Sequence, residues 1–450
     1  MRVLVSVLGY YKAYREVTYE VINDENEAVS EQTRFSSAAL KKAFNPDRTI
    51  VIVPFSLYHE AKKNLAGGKY SDLAKIVMDH FRLNKEAEPF AIGDFIVVPN
   101  TGRFTKDSQK GEYVEYVEAG GKMRRLSLFQ NYAFLKLYEA LKGVEDDRAE
   151  ILVDLTHGVN YMQFLVSDVV KTLAYSLLKD VKLRFFNSDP VGPGKDDPSV
   201  VIKVNEVMRE NISPEEGFNG TAMELLMLDD KNLREALDRD DEKKDRVRKL
   251  AKASFAGVFQ IVGAFRGEIN DLLSSMLGSI RAIDDCEVKV NVEGNLTRLE
   301  YGCFLEPLTY KVVAALDAMY RATQGWSEEF SASWLKEKVE KYGNPVMKDL
   351  VENELGNIDR KPKKIYEQYS VDGGWCRLDA VFKLSEKESG NTKEKDEKEG
   401  EAGGINRRNL IAHGGLERNV TCMREVNDEL YFKYCAKKGL NVYELVLEQF

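Results

Sequence analysis

Four histidines occur among 450 residues, and one of them, His413, sits in "NRRNLIAHGG" (406–415), five residues after Arg408. Of all side chains an imidazole titrates nearest neutrality, so a rare one close to a fixed positive charge suits proton transfer beside an anion. Capping, packing and surface roles account for most such pairs and stand as the competing explanation. On an ideal helix successive residues turn by about 100°, which sets Arg408 and His413 about 140° apart while Asn409 and His413 share a face. Either the long arginine reaches round, or two copies of the helix pool their side chains across a symmetric dimer. Cleavage of RNA fits these groups. Attack by a 2′-hydroxyl needs an acid or base near neutrality, for which His413 qualifies; the in-line phosphorane needs a cation, for which Arg408 qualifies.

A second group is "DLTHGVN", Asp154 to Asn160, placed where an apolar strand should end and a helix begin. In parallel sheets ligands sit beyond the carboxyl ends of the strands. Thr156, His157 and Asn160 carry side-chain donors, Gly158 lets a ligand approach the backbone, and a helix N-terminus offers unpaired N–H groups. Phosphates and base edges suit such a place. The competing explanation is that Asp154 or Thr156 merely caps the helix. "LGYY", with Gly9 and Tyr10, and "NTGRF", with Asn100, follow other strands; they close the same pocket or form ordinary turns. The absence of a GxGxxG or GxxxxGK[ST] loop counts against a dinucleotide oxidoreductase and a P-loop NTPase.

The elements that must position these groups differ between the two halves. Apolar runs at 2–9, 49–55, 94–100, 150–156 and 181–187 read as strands, with "SSAALKKAF", "SDLAKIVMDHFRL", "SLFQNYAFLKLYEALKGV" and "NYMQFLVSDVVKTLAYSLL" as helices between them. Continuous apolar strands alternating with helices predict a Rossmann-like parallel α/β domain over 1–205, and extended pieces at 15–22 and 198–204 are candidates for its edge. From about 206 the strands are expected to stop. The mixed-charge stretch over 206–245 reads as a helical linker, and 246–450 as a mainly α-helical domain with a mobile insert at about 385–404. "CMREVNDELYFKYC" (422–435) predicts a hairpin turning at Asn427 and Asp428.

Length suits two or three domains, and 43% hydrophobic with 31% charged residues is a soluble globular balance. With no apolar run of about 18 residues and no signal-peptide pattern, a cytoplasmic protein without a membrane span is expected. A net charge of -9 argues against general coating of nucleic acid and leaves room for a local basic site. The five cysteines include no Cys-x-x-Cys pair, so neither a disulfide framework nor a zinc site is expected. His59 and His80 also lack a partner at ligand spacing. No metal or other cofactor is predicted to be required.

With both groups in view, the chain resembles the CRISPR-associated ribonucleases of the Csx and Csm type that accompany type III interference complexes. These join an N-terminal CARF sensor to a C-terminal helical HEPN nuclease. "RNLIAH" fits the HEPN pattern of Arg, four to six residues, then His, with a polar residue after the Arg; "DLTHGVN" resembles the sensor motif of the Csx branch. The resemblance implies a homodimer or higher oligomer acting in antiviral defence. In it, paired CARF domains bind a cyclic oligoadenylate, by analogy cyclic tetra-adenylate rather than the hexamer. Paired HEPN domains cut single-stranded RNA without metal, leaving 2′,3′-cyclic phosphate and 5′-hydroxyl ends. Arg408, Asn409 and His413 carry over as catalytic residues, and Thr156, His157, Gly158 and Asn160 as ligand residues. Arg407 also satisfies the spacing, and the choice of Arg408 rests on its neighbour Asn409. The competing functions are a nucleotide-sensing regulatory module without nuclease activity and a metabolic enzyme of Rossmann type.

Overall fold

In β1 (Arg2–Val7) every residue after the first is buried, and in β4 (Arg48–Pro54) the same holds. Strands of this kind must be covered on both faces. They are inner strands of an eight-stranded sheet with β2 (Val17–Ile22), β3 (Ala28–Thr33), β6 (Asp94–Val98), β9 (Arg148–Asp154), β10 (Asp180–Ser188) and β11 (Val201–Ile212), in the order β3-β2-β11-β10-β9-β1-β4-β6. The five runs expected from the sequence are mutually parallel neighbours, β10-β9-β1-β4-β6. The two edge candidates are β2 and β11, and β3 joins them as the outermost strand. Helix Ser36–Phe44 covers one face, where Ala39, Leu40 and Phe44 pack with Leu4, Leu152 and Phe186. Full burial of a Leu or Phe side chain contributes about 1.5–3 kcal/mol, so this face alone favours the sheet strongly. After β1 the chain builds β2 and β3 at the far edge; the parallel strands then continue beside β1 with β4 and β6 and resume with β9 on the other side of β1. The switch point therefore falls between the carboxyl ends of β1 and β9.

The computed structural model describes residues 1–10, 14–62, 64–83, 93–119, 126–143, 146–159, 161–190, 196–361, 374–388, 407–435 and 441–450, with 384–388 described by backbone alone. A second sheet comprises β5 (Gly68–Lys69), β7 (Gly102–Asp107), β8 (Glu112–Val117), β12 (Glu287–Glu293) and β13 (Leu296–Tyr301), in the order β5-β12-β13-β8-β7. The chain divides into two units, Met1–Ser213 with Ser274–Ala314, and Pro214–Leu273 with Ala315–Phe450.

Three expectations are corrected here. The boundary at 205 falls inside β11, and the hairpin β12–β13 belongs to the first unit although it lies far along the chain. The span 206–245 is not a connector. After β11 it forms helices Pro214–Met227 and Asp230–Ala236 and opens helix Asp241–Phe255, whose charged face hides Val247, Leu250, Ala251 and Ser254 at helical spacing on the other side. The cysteines do pair: Cys286 with Cys303, and Cys422 with Cys435. Val288 faces Tyr301 in the β12–β13 ladder, so two residues further out Cys286 and Cys303 are opposite each other, with Cα atoms 5.6 Å apart. Cys376 is buried and unpaired.

The second unit is helical with a four-stranded sheet that the expectation of a mainly α domain reduced to one hairpin. β14 (Phe330–Ser331), β15 (Cys376–Arg377), β16 (Thr421–Val426) and β17 (Glu429–Tyr434) run in the order β14-β17-β16-β15. Asn427 and Asp428 turn β16 into β17 with φ of 52° and 62°, the paired left-handed geometry that tight hairpins need. Of the expected mobile insert, 385–388 ends helix Leu378–Glu388, and 389–404 lies outside the described residues. Among the described residues no helix is long and apolar enough to cross a membrane.

Candidate functional site

At the switch point the two strand ends approach so closely that a Cβ on Gly9 would lie 2.8 Å from the Gly158 carbonyl carbon. Gly158 has φ +115°, and a Cβ there would meet Val7 Cγ1 at 2.6 Å, so only glycine fits either place. Their N–H groups are not free for a ligand. Gly9 N donates to the Tyr14 hydroxyl at 2.8 Å and Gly158 N donates to the same oxygen at 3.2 Å. Burial pushes the Tyr14 hydroxyl up to about 12 despite those two bonds, so it stays protonated.

His157 is 8% exposed and stacks on Tyr14 with ring centroids 4.1 Å apart. Desolvation lowers its pKa to about 4 against the opposing charge of Asp154, and the neutral ring accepts a long hydrogen bond from Ser36 N at 3.4 Å. Asp154 is fully buried; its carboxylate accepts from Ser36 Oγ at 2.7 Å, Ser6 Oγ at 3.3 Å and Thr156 N at 3.0 Å. Thr156 Oγ1 in turn accepts from Ser188 N at 3.1 Å. Helix Met162–Ser176 starts after Tyr161 with no side-chain cap, so neither Asp154 nor Thr156 caps it. The motif instead folds the strand end into a turn locked to its neighbours. Asn160 lies outside the described residues.

Asn100 is likewise committed. It is 1% exposed, accepts from Ser56 N at 2.7 Å, and donates to Ser56 Oγ at 3.1 Å and Tyr161 Oη at 3.2 Å. Beside this framework opens a cavity of about 470 Å³, lined by Tyr10 and Val159 together with Ser56, His59, Glu60, Phe104 and Lys106 among others. Of the six expected pocket residues that are described, Tyr10 alone lines it directly. Gly9, Asn100, Thr156, His157 and Gly158 build the framework behind. "PFSLYHE" after β4 and the β7 residues also line the cavity, outside the expected set. The first carried the same signal as the others, a carboxyl strand end next to β1. His59 is held at Nδ1 by the Ser56 carbonyl, and its ring lies 6.1 Å from Phe104 in near-parallel orientation.

In the second unit Arg407, Arg408 and Asn409 are exposed on helix Arg407–Ala412, and Leu410 is buried. The two glycines that follow end this helix. Gly414 N donates to Ile411 O at 3.0 Å and Gly415 N to Leu410 O at 2.7 Å, the pair of bonds of a Schellman motif, with φ of 59° and 81°. Gln260 Nε2 donates to Gly414 O at 3.2 Å and Tyr434 Oη to Gly415 O at 2.6 Å. This closing turn anchors His413, whose own N–H donates to Asn409 O at 3.0 Å. The His413 side chain is 27% exposed, and its Nδ1 lies 3.1 Å from Glu354 Oε2. Glu354, on helix Pro345–Asp359 and 4% exposed, also accepts from Arg418 Nε at 3.1 Å and Nη2 at 3.2 Å. Burial alone would raise the Glu354 carboxyl; the bonds from His413 and Arg418 outweigh it and hold the group below its ordinary range. The Arg418 guanidinium lies 3.5 Å over Phe382, and that of Arg407 lies 5.5 Å over Phe450. The spacing argument found His413 but not Glu354, which is 59 residues earlier. No group of three or more His, Cys, Asp or Glu that could hold a metal ion occurs among the described residues.

One unit thus holds a mixed sheet with a cavity at the switch point of its parallel strands, and the other a largely helical fold that presents Arg408, Asn409 and His413. Residues 3–190 match the CARF-domain model, and residues 344–438 the HEPN-domain model, of the CRISPR system endoribonuclease Csx1. The CRISPR system endoribonuclease Csx1 of Methanocaldococcus jannaschii is 29% identical over 231 residues, covering 50% of this chain and 44% of that relative, so this chain spans under half the length of the curated relative it matches. Among solved structures, Enterococcus italicus Csm6 bound to cyclic hexa-2′-fluoro-hexa-dAMP aligns with a TM-score of 0.23 and 11% identity, over 88% of this chain and 95% of that one. Over these two spans the chain carries a CARF domain and a HEPN domain of the Csx1 family.

Proposed function

We propose that this chain is a cyclic oligoadenylate-activated, metal-independent endoribonuclease of single-stranded RNA, acting in type III CRISPR antiviral defence. The observation that carries the reading is the His413 cluster. An imidazole held at one nitrogen and partly open to solvent stands at the end of a helix that exposes Arg408 and Asn409, within the span that matches the HEPN model. In the reaction His413 takes the proton of the 2′-hydroxyl, the 2′-oxygen bonds to phosphorus, and Arg408 and Asn409 stabilise the phosphorane charge. The P–O5′ bond then breaks and the leaving oxygen is protonated, which gives a 2′,3′-cyclic phosphate and a 5′-hydroxyl. Because an ideal helix sets Arg408 and His413 about 140° apart, the reading has the working site pair groups from two copies in a homodimer.

The Rossmann-like CARF unit is the sensor. Its cavity of about 470 Å³ admits part of a cyclic oligonucleotide, and two copies together take the ring, cyclic tetra-adenylate being the favoured size. Phe104 and Tyr10 offer faces for adenine, and Lys106 offers a charge for phosphate. Gly9, Asn100, Thr156, His157 and Gly158 keep these walls in place.

The test is RNase activity on single-stranded RNA in EDTA, without ligand and with each cyclic oligoadenylate in turn, followed by mass spectrometry of the ends. Activation by one ring size with cyclic phosphate ends is expected. Ligand binding with no cleavage under any condition would instead make the chain a regulatory module. A 5′-phosphate with a 3′-hydroxyl would indicate water as the nucleophile.

A further inference from the structure

We propose that Glu354 is a positioning residue for His413: it fixes the ring as the Nδ1-protonated tautomer, so that the Nε2 lone pair faces the RNA and the imidazolium formed on proton transfer is stabilised. The inference rests on the nuclease reading above and names how its base is prepared. Three observations converge. First, a carboxylate 4% exposed is costly unless it is paired, and this one is paired on both oxygens, to Arg418 through Oε1 and to Arg418 and His413 through Oε2. Second, those partners keep it ionised, and an ionised carboxylate only accepts. Nδ1 at 3.1 Å must therefore carry the proton, and the neutral ring has its lone pair at Nε2.

Third, Arg418 is itself fixed flat over Phe382, so the carboxylate cannot swing away from the ring. The charged groups around His413 are then Glu354 on helix Pro345–Asp359, Arg418 in the segment after the glycine turn, and Arg407 and Arg408 on its own helix. Among the described residues the negative charge bonded to the ring comes from Glu354.

Glu354→Gln separates this role from mere packing. Gln keeps the shape, but the two Arg418 donors claim its amide oxygen and turn the NH₂ group toward Nδ1, which then must accept. The ring is driven to the opposite tautomer and loses its counter-charge. The experiment uses the full chain labelled with ¹⁵N-histidine, with the His413 resonances assigned by their loss in His413→Ala; only four histidines have to be resolved. In the wild type at neutral pH, Nδ1 should be protonated and Nε2 bare. In Glu354→Gln the pattern should reverse. With cyclic tetra-adenylate and single-stranded RNA, kcat should fall on the order of 100-fold with KM changed much less.

A wild-type ring protonated at Nε2 overturns the proposal, and this holds even if Glu354→Gln fails to fold. An unchanged tautomer and unchanged kcat in a folded Glu354→Gln chain overturns it as well. Wild-type cleavage by His413→Ala, with the tautomer as expected, would overturn the nuclease reading instead.

Discussion

His413 and His157 show how the same side chain is put to opposite uses by its surroundings. His413 keeps part of its ring in solvent beside a carboxylate, whereas His157 is stacked on Tyr14 and stripped of water. His413→Ala should abolish RNA cleavage while leaving cyclic tetra-adenylate affinity and the helical signal unchanged; calorimetry and circular dichroism on the same sample provide the check. For His157 the consequence is pH-linked stability. Its folded pKa of about 4 lies below its ordinary 6.5, so between those values the unfolded chain binds the extra proton. Stability from this group is present above about pH 6.5 and is lost as pH falls toward 4, by a few kcal/mol in all. Urea midpoints at pH 7.5 and 5 should differ less in His157→Gln than in the wild type. Binding should divide the other way: Phe104→Ala and Lys106→Ala should weaken cyclic tetra-adenylate without moving the melting temperature, whereas His157→Ala should lower it. Of these residues, rarity and spacing made His413 legible. The cavity-lining Phe104 and Lys106 were not, because they lie on β7, an alternating strand of the second sheet with no functional pattern of its own.

Among the elements, the short helix Arg407–Ala412 owes its place to the glycine turn rather than to its own six residues. A Cβ on Gly414 would lie 2.5 Å from Val351 Cγ2, at φ +59°. Gly414→Ala should therefore cost about 1–3 kcal/mol and depress RNase activity along with it, since His413 precedes the turn; denaturant unfolding and RNase assays measure both. The hairpin β12–β13 is closed differently. Cys286→Ser with Cys303→Ser should lower stability by about 3 kcal/mol, as expected for a loop of this length, and the same loss should follow reduction of the wild type. Five parallel strands were legible because each is an apolar run, β1 and β4 being buried almost throughout, and the β16–β17 turn was legible because Asn427-Asp428 tolerates the left-handed region. The edge strand β3, "AVSEQT", was not, since it is mostly exposed and its pairing with β2 leaves no apolar run.

At the scale of the whole molecule the prediction concerns shared sites. If each catalytic centre takes Arg408 from one copy and His413 from its partner, Arg408→Ala and His413→Ala chains, each inactive alone, should regain roughly a quarter of wild-type turnover when mixed equally and allowed to exchange, since half the dimers are mixed and one centre in each is whole. If both groups come from one copy, mixing restores nothing. The sequence alone determined the class of chain: alternating apolar strands and helices, then helices, with "DLTHGVN" in the first unit and "RNLIAH" in the second. These signals are local, set by periodicity and by residue type at fixed spacing. Tertiary structure decided which polar groups remain for a ligand. Contacts between residues far apart in sequence occupy the Gly158 N–H and the Thr156 hydroxyl oxygen of "DLTHGVN", bring Cys286 to Cys303, and set Glu354 against His413, because hydrogen bonding and burial depend on distance in space, which spacing along the chain does not encode.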